Sequence, residues 1–440
     1  MASVAVVGAG YVGLVTAACL AELGHDVTAI DRNAALIGEL ARGTIRIHEP
    51  GLTELVRQLG SSGRLRFATS FEDARRRVDV AVVAVGTPPG VDGHPDLRAV
   101  FEAVEAIVRA APGAVICLKS TVPPGTGALV GERLRARGLA APVVVNPEFL
   151  REGQAVLDFM QADRIVIGAE DEAAGATVAR LYRRLRSPVV RCSAVEAELA
   201  KYASNALLAS RVSFINEMSG IADAVGADIA AVSGILGMDR RIGPSFLNSG
   251  LGWGGSCFPK DVAGLASLAR SLGCSSAMLD ASVVANERQR SRAAAIVVEL
   301  GGSGGSVAVL GLAFKAGTND IRESPSLGLV RELLTRGCSV RGTDPLALEA
   351  AARDVPEASY EADAYRAARG ADVVVVATDW PEYRALDWTA MAAVMRGSGV
   401  LDARNALDVA AVERAGLVYR SLGREAARSA QWRDPMAVVQ

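Results

Sequence analysis

The sequence predicts an α/β protein with two doubly wound domains, joined by a long central helix and a helical dimerisation core. Three observations lead there. Short β-branched runs recur at the spacing of βα units over residues 1–193 and again over 301–440. A helix-prone stretch of a different pattern separates the two blocks, over 194–300. The first strand empties into a glycine turn that opens a helix.

The opening segment is "SVAVVGAGYVGLVTAACLAELGHDVTAID". The run Val4 to Val7 reads as a strand, and Gly8, Gly10 and Gly13 follow at G-x-G-x-x-G spacing. A helical pattern runs to Gly24, and a second strand ends at Asp31. This is a Rossmann-like βαβ unit. Its glycines permit a tight turn and let a pyrophosphate approach unpaired N–H groups at the helix start. The Asp31 carboxylate suits a ribose 2′-hydroxyl and repels a 2′-phosphate, so the expected cofactor is NAD. Arg32 beside it keeps a small opening for NADP.

Further strands are expected in "DVAVVAVGTPP", "AVICLKSTVPPGT", "APVVVNPEFLREG" and "DRIVIGA". Their continuous apolar runs predict a parallel sheet covered on both faces. Thr87, Thr121, Glu148 and Glu152 lie in the loops that follow, where ligands bind in such sheets.

From about Ala194 to Gly226 one long helix is expected, apolar around much of its circumference and so a subunit interface. "GGSGG" at 301–305 abuts the next strand and reads as a tight turn at a domain boundary. The strands "SVAVLGLAF", "SVRGTDP", "DVVVVATDW" and "GVLDARN" then build the second α/β domain. It carries "GLAFKAGTND" in place of a glycine fingerprint, so it is expected to bind a different ligand.

Composition excludes several classes. Net charge is 47 − 49 = −2, which gives no reason to expect nucleic acid or an anionic membrane as partner. No run is long and apolar enough to span a bilayer, and "MASVAVVGAG" lacks a signal peptide's charged start. The six cysteines are scattered without C-x-x-C and the three histidines form no cluster. Reduced thiols, a cytoplasmic protein and no structural metal are expected.

One cysteine has an unusual setting, "GWGGSCFPKD". Pro259 fits the first turn of a helix, which places Cys257 near its N-terminus. The dipole there favours a thiolate, Lys260 can help, and Gly254 and Gly255 leave room for a ligand. Asp261 shares the helix face of Cys257. Lys201 and Asn205 form another i,i+4 pair, and Glu148 and Glu152 a third. A dinucleotide site, a thiol, an amine/amide donor pair and carboxylates together suit a dehydrogenase that passes through a thiohemiacetal.

"GxGYVGL", "VGTPP", "STVPPGT", "NPEFLREG", "KYxxN", "RIG…GWGGSCFPKD" and "GLAFKAGTNDIRESPS" occur in that order. In this the chain resembles the UDP-glucose/GDP-mannose dehydrogenase family over nearly its whole length. The resemblance implies NAD-dependent four-electron oxidation of a nucleotide-linked sugar at C6. The glucose type is expected, UDP-glucose first, because "GGSCFPKD" has no histidine before the cysteine and keeps the lysine. TDP-glucose, GDP-mannose and UDP-N-acetylhexosamine are the alternatives. By resemblance Cys257 is the nucleophile, Lys201 and Asn205 hold the oxyanion, and Asp261 serves the thiol and water steps. Glu148, helped by Thr121, is the general base.

For NAD, the resemblance implies contacts from the glycine loop with Tyr11 and Val12, and from Asp31, Arg32, Thr87, Thr121, Glu152 and Lys260, with Arg322 on the pyrophosphate. For the nucleotide sugar it implies Glu148, Phe149, Leu150, Lys201, Asn205, Phe246, Leu247, Asn248, Gly254, Phe314 and Arg404, with Lys315 on the diphosphate. It implies a homodimer in which Arg241 reaches the neighbouring site. The family's "T-D-D-x-R" or "T-G-D-x-R" is here Asn319–Asp320 before Arg322, a mild departure.

Overall fold

A computed structural model describes residues 1–74, 77–90 and 94–424. The end of the expected last domain, 425–440, lies outside the described residues. The chain divides into two compact units, Met1–Ser204 with Ala263–Gly273, and Asn205–Val262 with Cys274 onward.

The first unit holds an eight-stranded sheet. Its strands are β1 (Ser3–Val7), β2 (Asp26–Ile30), β3 (Leu65–Ala68), β4 (Val80–Val83), β5 (Val115–Leu118), β6 (Val143–Val145), β7 (Ile165–Ala169) and β8 (Val189–Cys192). Their order is β3-β2-β1-β4-β5-β6-β7-β8. Strand β1 sits between β2 and β4, with Val4 opposite both Val27 and Val80. Every residue of β4 and β5 is buried, as expected for strands covered by helices on both faces. Each buried Val, Ile or Leu side chain contributes about 1.5–3 kcal/mol, so these strands anchor the sheet.

One pairing departs from the all-parallel expectation: β6 and β7 are antiparallel. A parallel pair needs a crossover to the far end of the sheet. The segment between them instead turns back at the same end, through the short helix Ala155–Met160. An apolar run shows burial and not direction, so the sequence pattern missed the reversal. It keeps Glu148 and Glu152 at the carboxyl end of β6.

The second unit holds a six-stranded, wholly parallel sheet. Its strands are β9 (Ser306–Leu310), β10 (Ser339–Thr343), β11 (Ser359–Tyr360), β12 (Val373–Val376), β13 (Gly399–Asp402) and β14 (Val418–Ser421), in the order β11-β10-β9-β12-β13-β14. Before it, Gly301 ends a helix, and Gly302 and Gly304 take positive φ before β9 begins at Ser306.

The long helix spans Ala194–Val225, 32 residues. It gives Lys201 to the first unit and Asn205 to the second. Leu207, Phe214 and Ile221 repeat at seven-residue steps along it and are 51–63% exposed. That spacing puts them on one helix face.

Candidate active site

In the first unit, the glycine turn is shaped for an anion. Gly8 has φ +96°, and a side chain there would strike the carbonyl of Ala84 at 2.6 Å. A side chain on Gly13 would meet the Gly8 carbonyl at 1.8 Å. Gly10 is different: a Cβ there meets nothing within 4 Å. The helix that follows, Tyr11–Glu22, has no capping side chain and no acid in its first turn. Its free N–H groups and dipole therefore remain available to a pyrophosphate. Asp31 accepts from the Ala9 N–H at 2.8 Å and so holds the turn itself. These features fit a dinucleotide.

Around this turn, Tyr11 donates to Glu49 and accepts from the Gly153 N–H at 3.0 Å. That ties the glycine helix to the loop of the half-buried Glu152. Val12 is half-buried beside Tyr11, and Arg32 is exposed with an ion pair to Glu102 at 3.6 Å. Thr87 is buried and its hydroxyl donates to the Thr121 carbonyl at 2.8 Å, joining the loops after β4 and β5.

Glu148 and Lys201 meet in a buried ion pair. Lys201 Nζ lies 2.9 Å from Glu148 Oε1, with side chains 4% and 5% exposed. The Leu150 N–H donates to the other carboxylate oxygen at 2.6 Å. Burial raises the Glu148 pKa, but Lys201, the Leu150 N–H and Lys119 outweigh it and hold the carboxyl below the ordinary glutamate range. The Phe149 ring lies under Lys201 Nζ at 5.4 Å and under the Arg164 guanidinium at 3.8 Å.

In the second unit, Cys257 immediately precedes the helix Phe258–Ser271, and its carbonyl accepts the Asp261 N–H at 2.9 Å. The thiol is half-buried, 3.5 Å from Ser256 Oγ. Asp261 is wholly buried. Its carboxylate accepts from Asn205 Nδ2 at 2.5 Å and from Lys260 Nζ at 2.6 Å. Lys260 therefore neutralises Asp261 here.

The loop before Cys257 is fixed from several sides. Gly255 N–H donates to the Arg322 carbonyl at 3.0 Å. A Cβ on Gly255 would touch the Phe314 ring at 2.9 Å, and one on Gly254 the Glu323 carbonyl at 2.0 Å. Glu323 has φ +48°, the left-handed region that few non-glycine residues occupy. Asn286 exchanges two hydrogen bonds with the Trp253 backbone, and the Trp253 indole donates to Ser213. Asn286 and Ser213 were not legible in the sequence, because no local pattern marks a contact so distant along the chain.

Arg322 is clamped on both oxygens of Asp320. Lys315 Nζ lies 5.5 Å from the Phe314 ring centroid. Arg404 Nε is buried without a hydrogen-bond partner and 3.8 Å from the Asp379 carboxylate. Phe246, at φ +61°, sets its ring 6.2 Å from that of Phe258. Leu247 is buried and Asn248 exposed. Arg241 is exposed and paired with Asp239 at 2.6 Å.

The glycine turn on a doubly wound sheet defines the first unit as a dinucleotide-binding domain. Residues 2–186 match the NAD binding domain of the UDP-glucose/GDP-mannose dehydrogenase family, 195–288 its central domain and 308–409 its UDP binding domain. The chain belongs to that family, and its cofactor is NAD. It is 40% identical to a UDP-glucose 6-dehydrogenase of Bacillus subtilis, covering 96% of this chain and 98% of the relative. Identity is 41% to one of Rhizobium meliloti, over 96% of this chain and 99% of the relative. The solved UDP-glucose dehydrogenase of Pyrobaculum islandicum superposes with a TM-score of 0.89 at 41% identity, over 96% of this chain and 98% of that one. A UDP-D-ManNAc dehydrogenase of Pyrococcus horikoshii gives 0.85 at 27% identity, over 96% and 100%.

Proposed function

We propose that the protein oxidises the C6 hydroxymethyl of UDP-glucose to a carboxylate, consuming two NAD and one water and keeping the aldehyde bound to Cys257. The observation that carries this reading is the placement of Cys257 at a helix N-terminus above a wholly buried Asp261 that Asn205 and Lys260 hold. The substrate assignment is supported by 36–41% identity to UDP-glucose 6-dehydrogenases, against 27% to the ManNAc enzyme.

NAD supplies the chemistry of hydride acceptance at each of the two oxidations, held by Gly8, Gly10, Gly13, Asp31 and Arg322. The chain's own residues do the rest. Glu148, with Thr121, takes the proton of the C6 hydroxyl. Lys201 and the Asn205 amide donate to the oxygen as negative charge develops on it. The Cys257 thiolate adds to the aldehyde carbon, giving a thiohemiacetal. Its oxidation leaves a thioester at Cys257. Asp261 serves the thiol and water steps: water adds to the thioester carbonyl, the C–S bond breaks, and the acid leaves with the thiol restored. Lys315 and Arg404 hold the diphosphate end, beside Phe246, Leu247, Asn248 and Phe314.

The reading includes a homodimer through 194–292. The exposed Leu207, Phe214 and Ile221 supply an apolar face that a second copy would cover, and Arg241 would reach the neighbouring sugar site.

The test is the ratio of NADH formed to sugar consumed, across a panel of UDP-, TDP- and GDP-sugars. Two NADH per UDP-glucose and no free aldehyde are expected. Cys257→Ser should bind both ligands yet fail to sustain turnover, since a hydroxyl is far less ionised than a thiol. Two NADH at near-parent rate from that variant would sink the thiol's role.

A further inference from the structure

Lys119 follows β5 directly and sits in the first unit with its side chain almost wholly out of solvent. A lone buried ammonium is costly, and buried charges are normally paired with a counter-ion. Among the described residues no carboxylate lies within ion-pair distance of Lys119. Its Nζ donates instead to the carbonyl of Asn146 at 3.4 Å and to Asn146 Oδ1 at 3.3 Å. It also lies 5.9 Å from the ring centroids of both Phe159 and Tyr182. Two carbonyl oxygens and two aromatic faces make a cage suited to a cation. Asn146 is in turn locked, accepting from the Tyr182 hydroxyl at 2.5 Å and donating to the Val166 carbonyl at 2.8 Å. Only Pro147 separates Asn146 from Glu148.

We propose that Lys119 is a positioning residue for the oxidation: a caged cation whose Asn146 contacts fix the loop that carries Glu148 and whose charge bears on Glu148 through space. It touches no substrate. A fold-only residue at this place would be apolar, because a cage of two rings and a strand end is filled more cheaply by a methionine.

The charges around both groups are few. Facing Lys119 are Cys117 on its own strand, Cys19 from the helix Tyr11–Glu22, and Tyr182. Burial pushes both thiols up to about 12 and raises the phenol, so all three stay neutral. Burial pulls the Lys119 pKa down and Lys201 lowers it further, while the Glu148 charge acts to raise it and hold the ammonium. On Glu148, burial acts upward, and Lys201, the Leu150 N–H and Lys119 act downward. Removing the Lys119 charge takes away one of the downward causes, so the Glu148 carboxyl moves up.

The inference rests on Glu148 as the base, and the experiment separates the two. The pH dependence of kcat is measured for the parent, Lys119→Met, Lys119→Gln and Glu148→Gln, with thermal unfolding of each. Glu148→Gln should lose most turnover and the acid-side fall with it. If that fall persists unchanged, the reading of Glu148 fails. In Lys119→Met and Lys119→Gln the acid-side fall should move to higher pH by roughly half a unit or more, the size expected when one charge is removed from a protein interior. KM for NAD should stay within about twofold, as expected for a residue outside the cofactor turn. Lys119→Met should unfold at the parent temperature or above, since an apolar side chain replaces an unpaired buried ion. An acid-side fall at the parent pH in folded variants would overturn the inference while leaving Glu148 as base. Failure of both variants to fold would assign Lys119 to stability and overturn it equally.

Discussion

The amide of Asn205 donates to the carboxylate of Asp261 at 2.5 Å, and Asp261 has no exposed surface. A residue proposed to hold the oxyanion thus also orients the residue proposed to serve the thiol. Asp261→Ala removes the acceptor from Asn205 and from Lys260 at one stroke. Turnover should fall by about 10²–10⁴, the usual weight of a general acid–base group. Leaving the buried amide unpaired should cost about 1–3 kcal/mol of stability. Steady-state kinetics and a denaturant titration read the two effects separately. Full activity in the variant would remove Asp261 from the mechanism.

Lys201→Met leaves Glu148 buried without its ion-pair partner. Breaking a buried pair costs about 3–5 kcal/mol. In the parent, the Glu148 carboxyl lies below its unfolded value, so the pair stabilises above the ordinary glutamate range and is lost as pH falls through the folded value. In the variant burial dominates and the carboxyl rises, so acid favours the folded form. The gap in Tm between parent and variant should be widest near neutrality and narrow toward acid. A gap that is constant with pH would show that the pair carries no such linkage.

Asp31→Asn keeps an oxygen for the Ala9 N–H and removes only the charge. The glycine turn should stay formed, and kcat/KM with NADP should rise relative to NAD by about tenfold or more, close to 1.4 kcal/mol. An unchanged preference would place the discrimination elsewhere, with Arg32 the first suspect.

Phe214→Asp puts a charge in the middle of the exposed apolar face of the long helix. Sedimentation should show the parent as a dimer and the variant as largely monomer. Mixing Arg241→Ala with Cys257→Ala chains should restore some activity, because one site per heterodimer keeps both groups. A monomeric parent would end the dimer reading.

Much of this was legible in the sequence. Runs such as "VAVV" and "VVVV" announced the central strands, and the glycine spacing and Pro259 announced the two helix starts. The strands that were not legible are β3, β8, β11 and β14, and these are the four sheet edges. An edge strand is half solvated, short and mixed in polarity, as in "LRFA", "VVRC", "SY" and "VYRS", so no apolar run marks it. At the site, the residue types at Cys257, Lys201 and Asp261 were readable from local spacing. Lys119 was not, since a lysine at a strand end reads as a solvated charge until the fold encloses it.

Lys201 and Asn205 leave the same helix about one turn apart, and each is committed to a buried partner, Glu148 and Asp261. One residue inserted or deleted between them would swing one donor about 100° around the helix axis relative to the other. Loops that carry none of these four residues can lengthen or shorten without touching either pair. The three residues between them, Tyr202 to Ser204, should therefore be the part of this protein least able to change length, whatever happens to its composition.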